Sequence, residues 1–375
     1  MLFIAPPLPD SHLQLIDRIA ALRRQLRHVT SDNLNRWNGL LARLSYARLI
    51  HQSNTMEGVR ATFDQAVAAV DGEHPADPDN HDWQALTGHR DAMDYIIQLA
   101  KEPSLPYSEG GLLGLHFMML KHDLSKNPGR YRPGAVQVSD ARSGQRVYEA
   151  PPREHVQPLM GELIASLNGR SSDSVLVRAA LAHLNLTMIH PFRDGNGRMA
   201  RALQTLVLAR EGILDPRFSS IEEYVGRNAS QYYDVLALVG QGSWSPTSNT
   251  LPWIEFCLRA HFNQAQRLLR RIEEVDALWT QLEACCTELN LPTRVLDVLA
   301  RAASGMTIRS ATHRHEGAVS AQVAKRDLKQ LVDKGLLLPS GEKRGRTYQR
   351  SDRLRQLWQQ TRIQRDWPDA FDPQT

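Results

Sequence analysis

Apolar residues recur at helical spacing over most of the chain. Leu13, Ile16, Ile19, Leu22 and Leu26 predict a helix over residues 13–28, and 40–49 repeats the pattern. Residues 72–82, rich in Pro, Asp and His, predict a loop; helical periodicity returns over 83–99 and 109–121, with two prolines in 101–106 marking the connection. The period then changes. Residues 135–138 and 145–148 read as short strands about a turn at 140–144, a hairpin closed by Pro151-Pro152. Two nearly all-round apolar helices follow at 175–189 and 196–210, the kind that lies in the middle of a helical domain. The pattern continues over 221–239 and 251–274, around a loop at 240–250. Near the C-terminus, 295–303, 307–316 and 320–334 predict three short helices, the third started by Ser320 and stopped by Gly335. Residues 336–338 and 346–350 flank a basic tip at 340–345, so this end reads as a winged helix domain. The expected fold class is mainly α, a helical bundle with a β-hairpin plus that small C-terminal domain. The boundaries expected are an N-terminal helical region 1–80, a core 81–275, a linker helix 276–290, a winged helix domain 291–355 and a tail 356–375.

Composition narrows the class. With 375 residues, 42% hydrophobic and 23% charged, the chain has average globular usage, which excludes collagen-like and low-complexity proteins. The apolar runs at 112–120 and 175–189 are interrupted by His or Arg, and no basic region precedes Pro6-Pro7, so neither a membrane span nor a signal peptide is expected. A cytoplasmic location follows as the expectation. Cys257, Cys285 and Cys286 offer no paired framework and no C-x-x-C spacing; they read as packing residues in a reducing compartment. The net charge of +4 is uneven: residues 291–350 hold 12 Lys/Arg and 5 Asp/Glu, an excess of +7, leaving −3 for the rest. A basic end implies an acidic partner for that end.

The candidate chemistry lies between the two apolar helices, in His190-Pro191-Phe192-Arg193-Asp194-Gly195-Asn196-Gly197-Arg198. Gly195, Asn196 and Gly197 give a backbone free to adopt positive φ just before a helix whose first N–H groups lack partners, which makes an anion nest. Arg198 and Arg201 are three apart on the first turn and can grip phosphate oxygens with forked hydrogen bonds. Asp194 supplies the one carboxylate that a Mg2+ already held by nucleotide phosphates needs. His190 is the one side chain in the loop suited to act as a base near neutral pH. Taken singly these features have bland readings: a capping histidine, solvated arginines, a plain turn. Their convergence within twelve residues favours a phosphate site, and the absence of G-x-x-x-x-G-K-[ST] excludes a Walker loop.

The same residues, extended through Met199, Ala200 and Arg201, resemble the signature H-P-F-x-[DE]-G-N-G-R-x-x-R of the Fic family at every specified position. The resemblance implies a Fic fold and transfer of AMP from ATP to a Ser, Thr or Tyr hydroxyl of a target protein, with release of pyrophosphate. It gives His190 the role of base and Asp194 that of Mg2+ ligand. Gly195, Asn196, Gly197, Arg198, Met199, Ala200 and Arg201 become ATP-binding, and Phe192 anchors the loop in the core. The hairpin resembles the family's flap, with Val147, Tyr148 and Glu149 on the strand that would pair with an extended target segment. Tyr232 and Tyr233 resemble the segment that contributes to the adenine pocket, Tyr232 as the stacking ring, although core packing explains helical tyrosines equally well.

Ser53-Asn54-Thr55-Met56-Glu57-Gly58 fits the family's inhibitory motif [ST]-x-x-x-E-[GN], placed before the core. The resemblance implies that Glu57, with Ser53, occupies Arg201 and holds ATP in an unproductive pose; a simple helix-terminal Glu with Gly58 as C-cap is the plainer reading. Glu57 could instead position water for the reverse removal of AMP. In the C-terminal domain, Lys325, Arg326 and Lys329 on the third helix and Lys343, Arg344 and Arg346 on the wing are candidates for contact with DNA or with a protein. His313 and His315 are expected at the surface. The implied partners are a target protein and ATP with Mg2+, with self-modification and a homodimer as further options. Rival readings are a relative that transfers another phosphate-linked group, and a DNA-binding regulator whose body senses nucleotide.

Overall fold

Helices begin on short polar side chains that accept the unpaired N–H groups of the first turn. In the computed structural model, which describes all residues except 33–37, 74–76, 78, 140–143, 145, 213, 317–318, 343–345, 365–368 and 373–375, the order opens with α1 (Asp10–Asp32), α2 (Asn38–Thr55), α3 (Phe63–Val70), α4 (His81–Ala100) and α5 (Glu109–Leu120). Asn80 caps α4, accepting from Trp83 N at 2.9 Å, and Ser108 caps α5. Because of the first cap, His81 and Asp82 are helical rather than part of the expected loop. The hairpin β1 (Gln137–Ser139) and β2 (Arg146–Glu149) is antiparallel, pairs Gln137 with Glu149 and Val138 with Tyr148, and carries an irregularity between Val138 and Ser139.

Then come α6 (Arg153–Asn168), α7 (Val175–Ile189), α8 (Asn196–Ala209), the short α9 (Pro216–Ser219) and α10 (Glu222–Arg227), α11 (Ala229–Gly240) and α12 (Leu251–Glu288). The helix expected over 221–239 is therefore broken at Asn228, and the helices expected over 251–274 and 276–290 are one. Helices α3 and α6 lie outside the expected elements; α6 carries Pro158 inside, a residue that normally argues against helix. The chain ends with α13 (Leu296–Ala303), β3 (Ile308–Arg309), α14 (Ser310–Glu316), α15 (Ala321–Asp333), β4 (Leu337–Ser340), β5 (Thr347–Arg350) and α16 (Asp352–Gln360). The architecture is mainly helical, as expected.

The residues form two compact units, one of Met1–His28, Ser45–Gln266 and the last residues of the chain, the other of Val29–Leu44 and Arg267–Asp366. In the first, α7 and α8 pack side by side at the centre, with Ala179, Ala180, Leu184, Leu203 and Trp253 all buried. Trp253 Nε1 donates to Ala180 O at 2.7 Å, satisfying the indole where it is buried. Cys257, Cys285 and Cys286 are buried and free.

In the second unit the sheet order is β3-β5-β4, both pairs antiparallel. The helix expected from Thr307 starts instead at Ser310, because Ile308 is buried and pairs with Tyr348 of β5. His313 corrects the surface assignment: it is buried, with Nε2 3.1 Å from Asp327, whose carboxylate also takes a two-pronged bond from Arg294 at 2.7 and 2.8 Å. The side chain of His315 lies outside the described residues. No helix among the described residues is long and apolar enough to cross a membrane.

Candidate functional site

α7 ends at His190, whose N–H donates to Leu186 O at 3.0 Å and whose backbone is left-handed at φ 49°. That turn reverses the chain and aims the imidazole at a cavity of about 610 Å3 lined by Glu57, Val147, His190, Gly197, Arg201 and Tyr232, among others. His190 Nδ1 lies 3.3 Å from Thr187 O; a proton on Nδ1 leaves Nε2 free to accept. Burial lowers the pKa of His190, the Thr187 carbonyl raises it and the Arg132 charge lowers it further, so the ring is neutral at pH 7.

The loop that follows is locked from inside. Asn196 closes a reciprocal pair with Phe192, Phe192 N donating to Oδ1 and Nδ2 donating to Phe192 O, both at 2.9 Å. Phe192 is fully buried and stacks on His116 with 3.7 Å between centroids. His116 Nε2 lies 3.0 Å from Asp194 O, and Gly129 N donates to Nδ1 at 2.9 Å. Burial pushes His116 down to about 4, so it is neutral and both ring nitrogens are used. Sequence reasoning missed His116; a histidine amid the apolar residues of α5 was its only signal.

Gly195, at φ 76°, starts α8, and a Cβ there would also sit 2.8 Å from Leu120 Cδ1. Gly197 gives room of a different kind: a Cβ on it would meet the Glu57 carboxylate, and the Glu57 side chain would have to shift. The nest thus already holds an acid. Arg201, with 1% of its side chain exposed, donates from Nη2 to Glu57 Oε1 at 2.8 Å, from Nε to Ser53 Oγ at 2.9 Å and from Nη2 to Ser53 O at 3.0 Å. Burial opposes the Arg201 charge, but Glu57, Tyr232 and Glu222 together outweigh it and hold the pKa above the ordinary value. Arg198 is buried toward Asp194 at 3.8 Å, and its Nε has no hydrogen-bond partner among the described residues.

Asp194 is half-exposed. Its Oδ1 accepts from Gly195 N at 2.6 Å, and Lys126 Nζ lies 3.2 Å from Oδ2. Burial would raise its pKa, but Arg198, Lys126 and the Gly195 N–H together lower it, so it stays a carboxylate. No group of three or more His, Cys, Asp or Glu side chains able to hold a metal occurs among the described residues. One ionised, reachable carboxylate beside a nest fits a Mg2+ that arrives already bound to phosphates, and does not fit a resident ion.

Other expected residues sit as follows. Met199 and Ala200 are wholly buried, so their side chains pack the core and they offer a ligand only backbone. Tyr232 is buried, its hydroxyl 3.0 Å from His183 Nε2, and it lines the cavity together with the exposed Tyr233. On the flap, Val147 lines the cavity; the Tyr148 ring turns into the core and its hydroxyl donates to Met188 O at 2.9 Å. Glu149 N already donates to Gly242 O, which leaves less of β2 free than the sequence implied. In the second unit Lys325, Arg326, Lys329 and Arg346 are exposed; Lys343 and Arg344 lie outside the described residues.

Residues 106–208 match the family described as Fic/DOC. Among curated proteins, the chain is 26% identical over 217 residues to the protein adenylyltransferase Fic of Nematostella vectensis, covering 55% of this chain and 47% of that one. It is 29% identical over 216 residues to the protein of the same name from Drosophila grimshawi, covering 54% and 40%. The chain therefore spans less than half the length of these relatives. Among solved structures, a Fic family protein from Desulfovibrio desulfuricans G20 superposes with a TM-score of 0.60 at 22% identity, over 93% of this chain and 98% of that one. A Fic domain containing signaling protein from Bacteroides thetaiotaomicron VPI-5482 gives 0.55 at 22%, over 68% and 96%. Residues 106–208, which hold His190, the glycine nest and Arg201, thus match the Fic/DOC family, and the chain shares its fold with solved Fic family proteins.

Proposed function

We propose that the protein transfers AMP from ATP to a hydroxyl side chain of a target protein, and that Glu57 inhibits this transfer. The observation that carries the reading is the shared cavity: a neutral imidazole faces a glycine nest whose buried arginine is occupied by an internal carboxylate. In the reaction, His190 Nε2 takes the proton of the target hydroxyl as its oxygen bonds to the α-phosphorus. The bond from the α-phosphorus to the bridging oxygen breaks, and pyrophosphate leaves with the electron pair. The N–H groups at the start of α8 and the Arg198 and Arg201 guanidinium groups stabilise the charge that develops on the β and γ groups. Asp194 would hold Mg2+, which neutralises phosphate charge when bound. The flap would present the target as an added strand, and Tyr232 with Tyr233 would border the adenine.

Label position tests the reading. The Glu57→Gly variant, incubated with cell lysate, is expected to label protein from α-labelled ATP and not from γ-labelled ATP, with a mass increase of one adenosine monophosphate. Label from the γ position alone would mean phosphate transfer, and label from neither would remove the assignment.

For the second unit we propose a winged helix that binds duplex nucleic acid through α15. Gln322, Lys325, Arg326 and Lys329 are exposed, while Asp327 is turned inward and paired, so the solvent face has no acid before Asp333. Reversing Lys325, Arg326 and Lys329 to Glu in the full chain is expected to weaken duplex binding at least about tenfold and to flatten the salt dependence by about two to three units of log K per log salt. Equal binding by variant and parent, measured by fluorescence anisotropy over a salt series, would exclude this face.

A further inference from the structure

Arg132 is absent from every role assigned above, yet its side chain is fully buried. It precedes Pro133 on the segment entering β1. Its Nε donates to His190 O at 2.9 Å, its Nη1 to Gly134 O at 2.6 Å and its Nη2 to Pro151 O; its own backbone N–H donates to Pro191 O at 2.9 Å. Among the described residues the guanidinium bonds to carbonyl oxygens and to no carboxylate. A cation buried against carbonyls is costly unless its donors are used, and a planar fork can reach divergent acceptors where an ammonium cannot. Here the fork joins the entrance of the hairpin at Gly134, its exit at Pro151 and the left-handed turn at His190. Tyr148 makes a parallel tie one turn earlier, from β2 to Met188 O at 2.9 Å.

We propose that Arg132 is a positioning residue that sets the flap in register with His190, so that a hydroxyl carried along the flap meets Nε2 of the imidazole. The inference rests on the AMP-transfer reading and adds a residue to it. Arg132 does not line the nucleotide cavity, so its loss acts on the approach of the target and not on the uptake of ATP. It also presents a positive charge to His190, which the Glu57 and Asp194 carboxylates oppose from the other elements around the ring.

The test uses the full chain with Glu57→Gly as parent, adding Arg132→Lys or Arg132→Gln. Both are expected to bind ATP with Mg2+ within about threefold of the parent by calorimetry. Arg132→Gln is expected to lose about 30- to 300-fold in kcat/KM for the protein target, the scale of a misplaced acceptor, and Arg132→Lys about tenfold less. Observed by NMR, the His190 imidazole midpoint should rise by about half a pH unit in Arg132→Gln and stay put in Arg132→Lys, because lysine keeps the charge. A purely architectural Arg132 would lower ATP affinity and melting temperature together with transfer and would treat both variants alike. That result, or unchanged kcat/KM with an unmoved midpoint in folded Arg132→Gln, overturns the proposal. If the parent transfers no AMP, the enzyme assignment fails on its own, and the His190 midpoints still decide whether Arg132 governs that side chain.

Discussion

Replacing Glu57 with glycine is expected to raise AMP transfer by about a hundredfold or more. Glu57 takes the strongest hydrogen-bonding position on Arg201, at 2.8 Å, and its carboxylate lies against Gly197, so one side chain fills both the cation and the backbone nest that a triphosphate tail would use. An incoming γ-phosphate must displace a charge-assisted bond to a guanidinium with 1% of its side chain exposed. A competition of a few kcal/mol corresponds to about two decades in rate. Glu57→Gln separates charge from bulk: it keeps the shape, weakens the bond to Arg201, and is expected to fall between parent and glycine variant. The nucleotide-free glycine variant should also melt several degrees lower, since Arg201 then relies on Ser53, and should recover when ATP with Mg2+ is added. Initial rates with α-labelled ATP and melting curves with and without nucleotide check both effects. Parent and glycine variant of equal rate would mean that the Glu57–Arg201 pair is architectural.

His190→Ala in the same background is expected to lower transfer by about 100- to 10,000-fold, the range over which a positioned base contributes. ATP binding should persist, because the nest and both arginines belong to α8 and are untouched. The pH profile gives a second reading. Burial is the leading cause of a His190 pKa below the usual 6.5, so the basic form is already present at pH 6.5 and is lost as the pH falls further. The acid limb of kcat/KM should therefore lie below the position of an ordinary histidine. A limb above it, or a variant as fast as its parent, would assign the proton transfer to another group.

Legibility in the sequence followed distance along the chain. The helix starts at Ser108 and Ser320, the two apolar helices and the hairpin were readable because a cap, a period or a turn is set by neighbours a few residues away. The candidate loop was readable for the same reason, since its histidine, carboxylate, glycines and arginines are contiguous from His190 to Arg201. Where a local rule met a stronger distant one, the reading failed. Ile308 left a helical pattern to pair with Tyr348. His313, which looked like a solvated histidine, is held inside by Asp327.

What the sequence determined alone was therefore a helical protein with a short glycine-rich turn bearing a histidine, because stiff local geometry needs no partner from elsewhere. The family motif, and no local rule, put Glu57 and Ser53 with Arg201 from about 150 positions away; only the tertiary structure decided that His116 lies under Phe192 and that Arg132 spans the turn and both ends of the flap. Such contacts follow from how helices pack into a dense interior, where each side chain's environment is set by segments far apart in the chain, and no pattern of neighbours specifies them.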